Sequence, residues 1–171
     1  MNDLLKTGEM VAADHVGALA GLSMPRRFWA AVLAVLVAAS SGLADPPWHP
    51  TPGDPDHAAL LASITPVARA ALGSPLEFRV IEMAVHHDRA FARLYATRPG
   101  GIEIDLGATP LLQDEGLSLD HVDGPRFAVF FVRRGSGWEI VTYDIGATDA
   151  WWLGYDCSNY GVFYPPGTCP D

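Results

Sequence analysis

The stretch LEFRVIEMAVHHDRAFARLYA, residues 76–96, decides the fold. Its first half is rich in Phe, Val and Ile, and predicts a strand over residues 76–86. The alternation changes phase inside it: Phe78 and Val80 share one face, then Met83 and Val85 take over. A change of phase by one residue is what a bulge produces, and a bulge bends the sheet that carries it. His87-Asp88 reads as a turn, and residues 90–96 as the return strand of a hairpin. The chain is therefore expected to build a curved antiparallel sheet.

Downstream, the pattern breaks over residues 97–125, punctuated by Gly100-Gly101 and Asp123-Gly124, with a short strand expected over 102–106. Residues 127–132, FAVFFV, form a continuous apolar run, as in a strand covered on both faces. Arg134-Gly135-Ser136-Gly137 reads as a hairpin loop, and residues 138–145 as the strand that pairs back. Upstream, residues 45–55 carry five prolines, which favours an extended lead-in over helix or sheet. Asp54-Pro55 then looks like a helix start, with Asp as N-cap and Pro in the first turn. Leu60, Leu61, Ile64, Val67, Ala71 and Leu72 follow at helical spacing, and Gly73 is a natural stop. Pro66 should kink that helix or restart it after Thr65. Helix then hairpins gives an α+β domain over residues 56–171: an N-terminal helix packed on a curved antiparallel sheet of about four strands.

Residues 149–171 differ in character. Asp149 could cap a short C-terminal helix carrying Trp151, Trp152 and Tyr155. Tyr160, Phe163 and Tyr164 follow in a Pro-rich tail. Cys157 and Cys169 have 11 residues between them and no C-x-x-C pattern or neighbouring His. An isolated pair of this kind is most simply a disulfide that pins the tail, worth about 3 kcal/mol in the chain-entropy model.

Residues 24–44, MPRRFWAAVLAVLVAASSGLA, read as a signal peptide. Arg26-Arg27 supply the positive start and residues 28–39 the uncharged core. Gly42 and Ala44 place small residues before a cut at Asp45. The apolar part is shorter than the roughly 20 residues a membrane span needs, so no stable membrane anchor is expected after cleavage. Residues 1–23 carry Asp3, Glu9 and Asp14 against Lys6, and read as an upstream extension with Met24 as the true start. The expected location is exported, in a periplasm or outside the cell. The 127 residues after the cut hold 17 acidic and 8 basic residues, all eight of them Arg. A net charge of −9 argues against nucleic acid and against anionic membrane surfaces as partners.

Candidate chemistry is sparse. His86-His87-Asp88 offers three ligand types in a row, but strand neighbours point to opposite faces, so a turn is the simpler reading and no metal is expected. Asp144, Asp149 and Asp156 could serve as acid and base in a cleft, with His121 as a further base, yet each has a local structural job as well. Ser118, Ser136 and Ser158 lack a nucleophile-elbow setting, and no Gly pattern cradles phosphate, so neither a catalytic residue nor a cofactor is assigned. The aromatic group is the strongest signal: Trp151, Trp152, Tyr155, Tyr160 and Tyr164, with Asp149, form the candidate ligand-binding set. Half or more of these rings are expected to close one side of the sheet.

Phe78-x-Val80, Ala90-Phe91, Gly137-Trp138-x-Ile140-Val141 and Ile145-Gly146-x-Thr148-Asp149-x-x-Trp152 resemble a group of uncharacterised exported bacterial proteins, over roughly residues 60–163. Arg89 stands where that group favours an aromatic. The resemblance implies a cystatin-like or nuclear-transport-factor-like fold and brings no activity with it. The functional expectation is a secreted or periplasmic binding domain for a small apolar ligand, a peptide or an envelope protein. The alternative is a small envelope enzyme, hydrolase- or isomerase-like, that uses a cavity carboxylate.

Overall fold

The change of phase in residues 76–86 is a bulge at the place the sequence puts it. In the computed structural model, which describes residues 45–113 and 118–170, strand β1 (Glu77–His86) pairs antiparallel with β2 (Arg89–Thr97). The register shifts between Val80 and Glu82. Ile81 is the extra residue and stands 46% exposed, while Phe78, Val80, Met83 and Val85 all reach the same core. Strands β3 (Arg126–Arg134) and β4 (Gly137–Ile145) complete an antiparallel sheet of four strands in the order β1-β2-β3-β4. A second shift separates Phe130↔Thr142 from Phe131↔Ile140, which leaves Val141 as the extra residue of β4. Two bulges on the two edge strands give the sheet its bend. The readings over residues 1–23 and 24–44 lie outside the described residues.

Helix α1 (Pro55–Leu72) covers one face of the sheet. Leu60, Ile64, Ala68 and Leu72 are buried at a spacing of four. They meet Ala90, Ala92, Leu94 and Ala96 of β2, and Phe127, Val129 and Phe131 of β3. The helix runs through Pro66 without a break, contrary to the expected restart. Pro66 and Ala62 both lie on the exposed side, where the Ala62 carbonyl that loses its helical donor faces water. Asp54 occupies the N-cap position, but its carboxylate turns back to accept from Thr51 N (2.7 Å) and Thr51 Oγ1 (2.9 Å). Those bonds to the charged form hold its pKa below the ordinary value. A clamp ties the helix start to the far strands. Asp56 accepts from Arg133 (2.8 Å) and from Trp138 Nε1 (2.9 Å), and the Arg133 guanidinium lies over the Trp138 ring at 4.1 Å.

The connection between β2 and β3 holds less regular structure than expected. Residues 102–106 form no strand: Arg98 and Ile102 make one isolated bridge, and Ile102 is 66% exposed. A short helix α2 (Pro110–Gln113) follows and buries Leu111. The Pro-rich lead-in also departs from expectation. At Trp48, which has an N–H to give, it bonds Val85 in both directions at 2.9 Å, so the lead-in touches the β1 edge once.

The C-terminal helix begins later than Asp149 would start it. Residues 151–156 are turns, and α3 is Cys157–Tyr160. Gly154 (φ 85°) and Asp156 (φ 41°) are both left-handed, so the chain cannot hold a right-handed helix through them. Asp149 is an exposed bend residue and caps nothing. Cys157 and Cys169 form the disulfide. Among the described residues no helix is long and apolar enough to cross a membrane.

Candidate functional site

Strand register sorts the second face of the sheet, opposite α1, into rows. One row is Phe91 beside Phe130 and Thr142. The next is Glu82, Arg93, Ala128 and Asp144, and the one beyond it is Arg79, Tyr95 and Arg126. The first row is apolar and needs a cover; the others carry charge and do not.

The tail supplies that cover. Phe130 is fully buried, and its ring meets Phe91 (4.8 Å), Tyr155 (4.7 Å), Tyr160 (4.8 Å) and Trp151 (6.0 Å) between centroids. Tyr164 joins from the far side at 6.4 Å. Tilted and edge-on pairs of this sort add about 0.5–1.5 kcal/mol each beyond their buried area. Tyr160 donates its hydroxyl to the Phe131 carbonyl (3.1 Å) and Tyr164 to the Tyr155 carbonyl (2.5 Å). Burial pushes the Tyr160 hydroxyl up to about 12 and raises that of Tyr164 as well. This second cluster is why residues 127–132 are apolar without alternation: α1 packs on one side and the tail on the other.

The tail stops short of the charged rows, and a cleft of about 240 Å³ opens at its margin. Trp151, Trp152 and residues 147–150 form one wall. Arg93, Arg126, Ala128 and Asp144 form the floor, with Ile81 and Asp123 at the rim. Arg93 is held between two partners, 3.7 Å from Glu82 and with its guanidinium 5.0 Å above the Trp152 ring. Arg126 pairs with Asp123 at 3.1 Å. The indole N–H of Trp151 is buried and has no hydrogen-bond partner among the described residues. A shallower depression of about 330 Å³ continues from the cleft over Arg79, Tyr95 and Arg126. There Arg79 stacks on Tyr95 at 5.0 Å, and Tyr95 donates to Glu103 at 2.5 Å, a bond that raises the phenol's pKa.

The residues expected to bind are thus divided. Asp149, Trp151 and Trp152 line the cleft. Tyr164 lines a second hollow of about 430 Å³, which shares Arg93 and Trp152 with the cleft. Tyr155 and Tyr160 pack inside the aromatic cluster and line neither. Of the three aspartates weighed for acid–base work, Asp144 and Asp149 share the cleft. Asp156 stands at the start of α3 and accepts from Asn159. His121 is exposed on a short turn over residues 119–121. His86 and His87 do not point apart: His87 is left-handed (φ 53°), which brings the two rings to 4.1 Å. Among the described residues, no three His, Cys, Asp or Glu side chains gather as a metal site would require.

Arg79, Arg93, Tyr95 and Arg126 went unsingled in the sequence. The available signal was their place on the polar side of the strand alternation, and that alone marks any solvated residue. Comparison of the chain with protein-family models, with curated proteins and with solved structures finds no match.

Proposed function

We propose that the chain is an exported binding domain. Its cleft between Trp151, Trp152 and the charged rows of the sheet takes a small ligand or a peptide side chain with an apolar body. One observation carries this reading: the disulfide-pinned tail covers only half of the second sheet face, and its margin is a concave wall of two half-buried indoles. Indoles at such an edge give large contact area at low entropic cost. Export is supported by the signal-like residues 24–44 and by the disulfide, a bond that persists in oxidising compartments. One long helix across a bulged meander of four strands supports the resemblance to cystatin-like folds.

Native mass spectrometry of the protein purified from its own host tests the reading. A retained small molecule or peptide, lost on Trp151→Ala or Trp152→Ala, is the expected result. Recovery of only the bare chain would overturn it. N-terminal sequencing of the secreted material should begin at Asp45; an intact Met1 would contradict export by this route.

A further inference from the structure

Residues 45–171 carry an excess of acid, and three of their eight arginines stand together on the uncovered rows. Arg79 and Arg126 flank Tyr95 in one cross-strand row, and Arg93 lies in the next row of the same face. Like charges gathered this way repel one another. Carboxylates surround the group but stand outside it. Glu82 is 3.7 Å from Arg93 and Asp123 is 3.1 Å from Arg126. Arg79 has no carboxylate within 4.0 Å among the described residues, and Glu77 and Glu103 line a neighbouring hollow with it. The depression over Arg79, Arg93 and Arg126 has no acidic residue in its lining. Two of the guanidiniums lie over aromatic faces, Arg79 on Tyr95 and Arg93 on Trp152. Stacking restrains the planar fork while leaving its edge N–H groups available to an acceptor.

Arg93, Arg126 and Ile81 belong both to this depression and to the Trp151–Trp152 cleft, so the cationic floor and the apolar wall are continuous. We infer that the ligand is a small organic acid: its carboxylate is held by Arg79, Arg93 and Arg126, and its apolar body lies against Trp151 and Trp152. This deepens the proposed function and rests on it. Charge complementarity selects the carboxylate, since the lining of the depression offers three guanidiniums and no acid. Acids stand at both ends, Asp123, Asp144 and Asp149 in the cleft and Glu77 and Glu103 beyond Arg79, which confines an anion to the acid-free lining between them.

The test titrates the disulfide-bonded full chain with phenylpropionate and with phenylpropanol, which shares its body but lacks the charge. The indole N–H resonances of Trp151 and Trp152 report binding. The acid should bind roughly tenfold or more tighter than the alcohol, as expected when a charge-assisted pair is added, and that preference should shrink with added salt. Arg79→Gln, outside the cleft that holds the apolar body, should bring the acid's affinity toward the alcohol's and leave the alcohol's unchanged; Arg126→Gln should weaken the acid more than the alcohol. Equal affinities for acid and alcohol would overturn the inference while leaving the cleft reading intact. Binding of neither would also overturn it, and the cleft reading would then be decided by the retained ligand in native mass spectra.

Discussion

The guanidinium of Arg93 lies 5.0 Å from the centroid of the Trp152 ring, which joins a strand residue of the open rows to the last indole of the cover. This contact marks the boundary between the two halves of the second sheet face. On one side Phe91 and Phe130 are buried under the tail; on the other Tyr95, Arg79 and Arg126 meet solvent.

Replacing Arg93 by Ala removes that stack and the weak pairing with Glu82. The expected cost is about 1 kcal/mol of unfolding free energy, since cation–π contacts at partly exposed sites are worth that order. Denaturant melts would measure it. The Trp152 indole resonance should shift far more than that of Trp138, which stacks under Arg133 at a distant point.

Cys157 and Cys169 close a loop within the cover, the part that carries Tyr160 and Tyr164. Replacing both by Ser should lower stability by about 3 kcal/mol, the value the chain-entropy model gives for a loop of this length. The loss should fall on the tail first. Near-ultraviolet circular dichroism should lose its aromatic signal at lower denaturant than the far-ultraviolet signal of the sheet. Coincident transitions would show that the tail is not a separable cover.

Burial holds the Tyr160 hydroxyl near pH 12 and raises Tyr164 as well, so the fold favours their neutral forms. The stability this supplies is complete below the ordinary value of 10.0 and is lost as pH rises through about 12. Unfolding free energy should fall across that window, in step with the appearance of tyrosinate absorbance. In a Tyr160→Phe, Tyr164→Phe double variant the alkaline fall should be much smaller. Its stability at neutral pH should drop by about 1 kcal/mol for each lost hydrogen bond.

The curvature of the sheet was legible because a bulge leaves a trace in one strand: the apolar side moves from Phe78 and Val80 to Met83 and Val85. The double cover of residues 127–132 was legible because both faces there had to be apolar. The start of α3 was not, since Asp149 carries a capping residue's chemistry while the left-handed Gly154 and Asp156 forbid a helix behind it. The charged floor of the cleft was not legible either. Arg79, Arg93 and Arg126 belong to three different strands, and only the register of β1 with β2 and of β2 with β3 brings them to one face. Each alone looks like an ordinary solvated strand residue. The aromatic group stood out in the sequence, which could not divide Trp151 and Trp152 at the cleft from Tyr155 and Tyr160 in the packed cluster.

Asp56 binds Arg133 and Trp138 from the first turn of α1 and, with Ser63 donating to the Trp138 carbonyl at 2.7 Å, links the helix to the strands farthest along the chain. Asp56→Ala should cost about 2 kcal/mol, because it leaves a half-buried guanidinium and an indole N–H without their acceptor. Thermal melts of the variant measure the loss. Ligand titrations of the same variant should be unchanged, since the clamp lies on the α1 face and the cleft on the other.

The account rests on a sheet face that is half covered and half open, and a soluble paramagnetic relaxation agent tests this directly by nuclear magnetic resonance. The account predicts that the ring signals of Phe91 and Phe130 stay sharp while the side-chain signals of Arg79, Tyr95 and Arg126 broaden strongly. Equal broadening of Phe130 and Tyr95, or sharp signals from both, would contradict it.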